Sequence, residues 1–191
     1  MENNNLAIAQ LSQKVQGLYL DMDQEVASFL QTSQLKCTAG CGECCANPEI
    51  EATMLEMLPL ALFLIAEKKA EAVLDNLKNV NRTYCFFYQH EEGNIKKGQC
   101  TIYAYRPSLC RLFGVAKVGI RWSVCKEIKD KHALAYDDLL KINPDLTSMN
   151  DWTMRLFSLD AQLGQKKMPI NEATKLILEK IILYESFQIN Y

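Results

Sequence analysis

Residues 37–45 read Cys37-Thr38-Ala39-Gly40-Cys41-Gly42-Glu43-Cys44-Cys45, so that four thiols lie within nine residues. Metal sites built from thiolates take ligands close in sequence on tight turns, because zinc binds four donors at about 2.3 Å and iron–sulfur clusters are held by several cysteines. Gly40 and Gly42 flank the second cysteine, and we expect them to adopt the unusual backbone angles that such a turn needs. The stretch therefore predicts a metal-binding loop.

Four further cysteines lie between residues 85 and 125, whereas residues 1–36 and 126–191 contain none. Cysteines that act only as small buried hydrophobes should scatter over the whole chain. We therefore expect the later four to form a second four-ligand site or to share a site with the first group. The candidate metal ligands are Cys37, Cys41, Cys44, Cys45, Cys85, Cys100, Cys110 and Cys125.

Cys44 and Cys45 are adjacent, and neighbouring side chains generally point in different directions. We therefore expect one thiol to serve a metal while the other faces a second metal or packs against the protein. This arrangement favours two sites, or one multi-iron cluster with spare thiols, over a single zinc ion.

The composition is that of an ordinary globular protein of 191 residues, with 49% hydrophobic residues, 23% charged residues and a formal net charge of −2. This length suits a single domain, 1–191. The polar start of the chain shows no leader pattern, and the longest apolar run, Leu60 to Ala66, is too short to span a bilayer. We therefore expect a cytoplasmic protein without membrane contact, in which clustered cysteines bind metal rather than form disulfides.

Hydrophobic periodicity predicts helices before and after the cysteine-bearing region. Spacings of three and four predict a helix over roughly 6–31. A short helical piece over 53–58 is expected to end at Pro59, which then stands in the first turn of a helix through residue 69. A further helix is predicted over 70–77.

The end of the chain is predicted to be helical again. One helix is expected over 150–163, with Trp152 on its inner face, and a second from Asn171 as N-cap to about Ser186. Leu176, Ile177, Ile181 and Tyr184 are predicted to face inward on this second helix.

The middle of the chain contains short aromatic and β-branched runs. Residues 85–88 and 99–103 flank a polar linker containing Gly93-Asn94, which predicts a β-hairpin. Arg106-Pro107 is expected to open a turn or a short helix through Phe113, and 118–124 is predicted to be a third strand. The fold class is therefore mainly α, with flanking helices over 1–36 and 126–191 around an irregular cysteine-cluster core, 37–125, that contains a β-hairpin.

Positive charge accompanies the later cysteines. Residues 106–131 carry seven cations and two anions, a net charge of +5, which leaves about −7 on the rest of the chain. A buried thiolate centre needs cationic or N–H partners, and Arg106 and Arg111 are predicted to provide them. The same cations would also suit a solvated face, or a nucleic-acid surface with Tyr105 and Trp122 as stacking rings. The near-zero net charge of the whole chain speaks against nucleic acid.

A second motif follows the first, and reads Cys100-Thr101-Ile102-Tyr103-x-x-Arg106-Pro107-x-x-Cys110-Arg111. Together the two motifs resemble the YkgJ-type cysteine-cluster family, a zinc- or iron-chelating domain that is also found within flagellin lysine N-methylases. The resemblance covers residues 37–125 and implies that the eight cysteines correspond to those of the family. It also places Tyr103, Arg106 and Pro107 at recurring family positions, so Tyr103 joins the two arginines as a residue expected around the metal.

The resemblance implies metal binding rather than a particular reaction. We expect a metal-binding protein that holds an iron–sulfur cluster, with [4Fe-4S] favoured, or zinc, and that acts in electron transfer, metal handling or a complex with a protein partner. The alternative is a metal-dependent redox or protein-methylating enzyme. Glu43 stands where radical S-adenosylmethionine enzymes usually have an aromatic residue, and no glycine-rich cofactor turn is visible. His90 and His132 are expected to be solvated.

Overall fold

The computed structural model describes residues 2–118, 121–126, 128 and 146–188. The predicted fold class is confirmed, because helices flank a small strand-containing middle. The helices are α1 (Glu2–Ser33), α2 (Glu43–Ala46), α3 (Met54–Ala66), α4 (Ala70–Asn79), α5 (Ser108–Leu112), α6 (Met149–Leu159), α7 (Ala161–Gly164) and α8 (Ile170–Gln188). A 3₁₀ turn spans Tyr103–Tyr105. The division into a core at 37–125 and flanking helices stays a prediction.

The strands form antiparallel pairs. One pair joins the segment before α3 to the segment before α8, and the other two are hairpins of consecutive strands. The pairs are β1 (Glu51–Ala52) with β6 (Met168–Pro169), β2 (Tyr88–Glu91) with β3 (Asn94–Cys100), and β4 (Val115–Val118) with β5 (Arg121–Val124).

The main core lies between α1, α3, α6 and α8. The apolar side of α1 repeats every three or four residues, as the sequence predicts, and packs on the almost wholly apolar α3. Burial of each large apolar side chain stabilises the fold by about 1.5–3 kcal/mol. The largest buried side chains of this core include Val15, Met22, Leu55, Leu58, Trp152, Ile177 and Leu178.

Helix α3 differs from the prediction, because it runs through Pro59 instead of restarting there. Thr53 and Glu56 form a capping box: the Thr53 hydroxyl accepts from the N–H of Glu56 at 3.2 Å, and the Glu56 carboxylate accepts from the N–H of Thr53 at 2.8 Å. This cap starts the helix five residues before the proline. Since the apolar face of α3 is buried, packing offsets the one helix hydrogen bond that proline removes.

The predicted central hairpin is present, but its strands lie closer to the turn than expected. The polar linker around Gly93 belongs to β2 and β3 themselves, and Gly93 has a φ of +76°. The single strand predicted over 118–124 is wrong, because two strands, β4 and β5, form a second hairpin there. Strands β2 and β3 consist largely of exposed polar residues, so the apolar runs did not mark the bounds of the central hairpin.

The C-terminal helices also depart from expectation. The helix predicted over 150–163 is divided at Asp160, whose extended backbone (φ −159°) ends α6. Its side-chain carboxylate caps α7 by accepting from the N–H of Leu163. Asn171 is not an N-cap, because α8 already includes it. Tyr184 is 43% exposed rather than inward. Among the described residues, no helix combines the length and apolar character needed to cross a membrane.

Candidate metal centre

The loop with the first four cysteines is bound along its backbone to strand β3. The N–H of Gly42 donates to the carbonyl of Lys96 at 2.7 Å, and the N–H of Gly98 donates to the carbonyl of Gly40 at 3.0 Å. Cys41 pairs with Lys97 in an isolated bridge. The loop therefore lies against the hairpin as an additional edge, and this pairing brings its thiols next to the end of β3.

The two loop glycines are required for different reasons. Gly40 has a φ of +73°, as the sequence predicts for a tight turn. Gly42 has an ordinary φ of −106°, so the expectation of an unusual angle is wrong there. A Cβ on Gly42 would lie 1.5 Å from the hydroxyl oxygen of Tyr88, which donates to the carbonyl of Ile95 at 2.9 Å. Gly42 is thus required because the buried Tyr88 ring passes beside it.

Cys44 and Cys45 lie on the short helix α2, and their sulfur atoms are 4.0 Å apart. The expectation that these neighbours diverge is therefore wrong. In a tetrahedral site with bonds of about 2.3 Å, two thiolates are about 3.8 Å apart, so this spacing suits a shared metal. The thiol of Cys45 also contacts the thiol of Cys100 at the end of β3. Three sulfurs from two distant segments therefore meet.

Cys85 lies in the segment between α4 and β2, and it is buried. The side-chain amide of Asn171 holds this segment on both sides of the cysteine. Its Oδ1 accepts from the N–H of Phe86 at 2.7 Å, and its Nδ2 donates to the carbonyl of Tyr84 at 3.0 Å. Asn171 therefore positions Cys85 from α8, a role that the sequence pattern gave no means to detect.

Cys110 lies on α5, and Glu56 of α3 binds the start of that helix. The buried Glu56 carboxylate accepts from the N–H of Ser108 at 3.1 Å and also from the Ser108 hydroxyl. The carboxylate thus serves two helix N-termini, since it also completes the cap at Thr53. The spacing Thr53-x-x-Glu56 signals the local cap, but no sequence signal points to the contact with Ser108.

Seven of the eight cysteines line a single cavity of about 940 Å³. All eight are free thiols. The cavity is bounded by the loop, the end of β3, α5 and the start of α8. The lining cysteines are Cys37, Cys41, Cys44, Cys45, Cys85, Cys100 and Cys110.

Cys125 does not line this cavity. Its partly buried side chain packs on a small second apolar cluster that includes Val115 and Ile128. A Cβ on Gly114 (φ +85°) would lie 2.9 Å from the Cβ of Cys125, so the backbone of this hairpin passes close to the cysteine. The structure therefore brings seven of the predicted ligands to one cavity and leaves the eighth outside it, against the second apolar cluster.

The pKa shifts of the three contacting thiols differ in direction. Contact with the Cys45 thiol lowers the pKa of Cys44 and of Cys100, burial opposes the change and the Arg106 guanidinium adds to it, so that the pKa is about 6 for Cys44 and about 7 for Cys100. The same contacts with Cys100 and Cys44 raise the pKa of Cys45. Of the three thiols, Cys45 is therefore the one that favours the protonated form. Since the thiolate is the form that binds metals, this arrangement supplies donors at neutral pH.

The pKa values of Cys85 and Cys110 are raised instead of lowered. Burial raises the pKa of Cys85 to about 11, and burial also raises the pKa of Cys110, with a further contribution from Cys85. These thiols lose their protons only if a cation compensates the charge. They are therefore suited to become ligands when a metal binds rather than to be free thiolates.

Of the two predicted arginine partners, Arg106 lines the cavity. Its Nη1 donates to the carbonyl of Cys110 at 3.3 Å. Its guanidinium carbon lies 3.5 Å from the ring centroid of Tyr103, which also lines the cavity and is largely exposed. Arg106 is thereby fixed beside Cys44 and Cys100, whose pKa values it lowers.

Arg111 does not line the cavity. It is buried, pairs with the carboxylate of Asp23 on α1 and donates to the carbonyls of Ala104 and Arg106, the latter at 2.8 Å. Its guanidinium also lies 4.3 Å from the ring centroid of Tyr19. It ties α5 to α1. Of the other predicted cations, Lys129 and Lys131 lie outside the described residues, as does His132.

The donor set is chemically suited to zinc or iron, because unbridged thiols select these soft or borderline metals. Thr38 adds a buried hydroxyl at the cavity wall that has no partner among the described residues. His90, expected to be solvated, is exposed but lines the same cavity. Within the described residues, no group of three or more aspartate, glutamate, histidine or cysteine side chains is already arranged to hold a metal ion.

A comparison with protein families finds one matching model, described as a putative zinc- or iron-chelating domain, over residues 36–136. The match covers more than half of the chain and includes all eight cysteines. No curated protein and no solved structure matches the chain.

Proposed function

The chain belongs to the CxxCxxCC family of zinc- or iron-chelating domains, and on that premise we propose that it holds an iron–sulfur cluster in the cysteine-lined cavity. Zinc at the same cysteines is the alternative metal. The observation that carries the proposal is that seven unbridged thiols from separate segments line one cavity. We assign the first-binding donors to Cys44 and Cys100, whose lowered pKa values favour the thiolate, and Cys45 joins them when the bound metal displaces its proton.

The number of thiols favours a cluster over one zinc ion. A structural zinc site takes four ligands, so seven cysteines around one cavity exceed what a single ion needs. A cubane cluster also takes four thiolates but occupies more space, and the remaining thiols then lie beside it. Cys85 and Cys110 are the candidates for completing the set, because both line the same cavity and interact electrostatically with Cys100.

The surrounding residues suit a negative metal centre. The guanidinium of Arg106 offsets thiolate charge, and the apolar walls formed by Ile50, Ile102 and Ile170 limit access of water. A bound iron–sulfur cluster supplies one-electron transfer, and zinc supplies structural cross-linking or a Lewis acid. We therefore propose electron transfer or metal handling as the role of the protein.

A metal-dependent enzyme is the second candidate function, and the size of the cavity is the observation that favours it. A volume of about 940 Å³ lies at the upper end of ligand pockets, which span about 300–1,000 Å³. Polar side chains of the hairpin, including Gln89, His90 and Gln99, line part of it. This volume would leave room for a small substrate beside a metal centre.

The test is anaerobic purification of the full chain with iron, zinc and acid-labile sulfide measured per chain. We expect about four iron and four sulfide per chain, brown colour, and an electron paramagnetic resonance signal after reduction with dithionite. Zinc at one or two ions per chain, no sulfide and unfolding on chelation would replace the cluster by a structural zinc site. If the protein binds neither iron nor zinc after anaerobic reconstitution, the proposal is refuted.

A further inference from the structure

A second concave site lies away from the cysteines, between α1, α6–α7 and α8. It has a volume of about 400 Å³ and shares no lining residue with the cysteine cavity. Its floor is formed by Leu58, Leu163, Ile177 and Ile181, which are all buried. We refer to it as the helix-end groove.

The rim of the helix-end groove carries two lysines from different helices. Lys14 of α1 and Lys180 of α8 both line it, and neither forms an ion pair with a described residue. Lys180 Nζ lies 5.5 Å from the ring centroid of Tyr184, which is also part of the rim. Two cations therefore stand at the edge of an apolar floor without an anionic partner in the described part of the chain.

One acidic residue, Asp160, is found among the described residues that line the groove. Its Oδ1 accepts from the N–H of Leu163 at 2.8 Å, so the carboxylate caps α7. The charges at the rim sum to about +1 when the two lysines and this aspartate are taken together. A ligand with a single negative charge neutralises this rim, whereas a doubly charged phosphate would leave one excess negative charge there.

We propose that the helix-end groove binds one free aliphatic monocarboxylate of medium chain length. The apolar tail lies on the leucine and isoleucine floor, and the carboxylate is bound by Lys14 and Lys180. The volume supports a medium chain, because 400 Å³ is near the lower limit of about 300 Å³ for ligand pockets. This site and its ligand are independent of the metal centre.

A second copy of the chain fits the groove less well. In a symmetric dimer the same patch faces itself, so the lysines of both copies would meet across the interface. Like charges placed opposite each other disfavour such an association. The charge pattern therefore favours a small anion over self-association.

The test is titration calorimetry of the full-length protein as purified, with decanoate, decanol and acetate as probes. We expect saturable decanoate binding, at least tenfold tighter than decanol, and none for acetate, because both the tail and the charge contribute. Lys14→Met combined with Lys180→Met should weaken decanoate at least tenfold and leave decanol unchanged. Gln162→Trp, at an exposed rim position, should abolish binding of both by filling the groove.

Lys166→Met is the matched control, because Lys166 is exposed near α7 but does not line the groove. Thermal unfolding shows that each variant is folded before it is titrated. Equal affinity for decanoate and decanol, or an equal loss with Lys166→Met, would overturn the proposal. So would absence of saturable decanoate binding, or sedimentation that shows a dimer dissociated by Gln162→Trp.

Discussion

The carboxylate of Glu56 accepts hydrogen bonds from both the N–H and the hydroxyl of Ser108, a residue 52 positions later in the chain. This contact joins the N-terminus of α3 to that of α5, the helix with Cys110. One buried side chain thus supports the apolar core and one wall of the cysteine cavity together.

Glu56→Gln should destabilise the protein by about 2–4 kcal/mol, since hydrogen bonds to a charged group are each worth about 1.5–3 kcal/mol and the amide NH₂ would face an N–H donor. Urea unfolding measures the loss. Glu67→Gln, at the exposed end of the same helix, is the control and should change stability by less than about 0.5 kcal/mol. Equal stabilities of the two variants would show that the Ser108 contact contributes nothing.

Replacing single cysteines by serine should separate the cavity thiols from the remaining one. We expect Cys44→Ser, Cys45→Ser and Cys100→Ser to lose most bound metal, because these thiols contact each other. Cys125→Ser should keep the wild-type metal content, because its side chain does not line the cavity. Elemental analysis per folded chain measures the effect, with circular dichroism as the folding check. Metal loss in Cys125→Ser comparable to that in Cys100→Ser would contradict this assignment.

Arg106→Ala should lower metal affinity by about 10–100-fold, the usual effect of removing a group that supports metal ligands. Competition with a chelator of known affinity measures the change. Arg111→Ala should act on stability instead, because that guanidinium binds Asp23 and does not line the cavity. The matched control is Lys126→Ala, an exposed cation near Cys125. If Arg106→Ala and Lys126→Ala release metal equally, Arg106 does not support the thiolates.

Gly42→Ala should destabilise the loop by about 1–3 kcal/mol, the usual cost of overpacking, because the new methyl would collide with the Tyr88 hydroxyl. Gly17→Ala in α1 is the control, since no atom lies within 4 Å of its added Cβ. There we expect a gain of about 0.5–1 kcal/mol from helix propensity. Thermal and urea unfolding compare the pair, and a neutral Gly42→Ala would mean that Tyr88 moves freely.

Alkylation of the reduced, metal-free chain should follow the thiol pKa values. The reactive form is the thiolate, so the rate at each cysteine rises as pH passes upward through its pKa. Cys44 should gain reactivity near pH 6 and Cys100 near pH 7, whereas Cys85, with a pKa of about 11, should react little at neutral pH. Iodoacetamide labelling followed by peptide mass spectrometry measures the order. Faster labelling of Cys85 than of Cys44 at pH 7 would contradict it.

Local sequence patterns were sufficient for the long elements. The three-and-four spacing of apolar residues predicted α1, and a short helix after Arg106-Pro107 was found as α5. The paired cysteine motifs identified the family that the comparison confirms. These features depend on residues within a few positions of one another, and such neighbours are constrained by backbone geometry whatever the rest of the chain does.

Where a local pattern failed, a contact from elsewhere was responsible. Pro59 did not end its helix, because the buried cap at Glu56 and the packed face of α3 outweigh one missing hydrogen bond. Asn171 looked like an N-cap, but its amide instead holds the segment around Cys85, over 80 residues away. Side-chain hydrogen bonds of this kind have no period in sequence.

The sequence by itself therefore determined that this is a helical protein with a cysteine motif for zinc or iron. Tertiary structure alone decided which thiols meet. Cys44 and Cys45 lie next to Cys100, whereas Cys125 packs against the second apolar cluster. The physical reason is that sulfur proximity depends on how the loop pairs with β3 and how Glu56 and Asn171 position distant segments. Those contacts join residues that are tens of positions apart in the chain. The cysteine motifs therefore show how many ligands are available but not which of them meet.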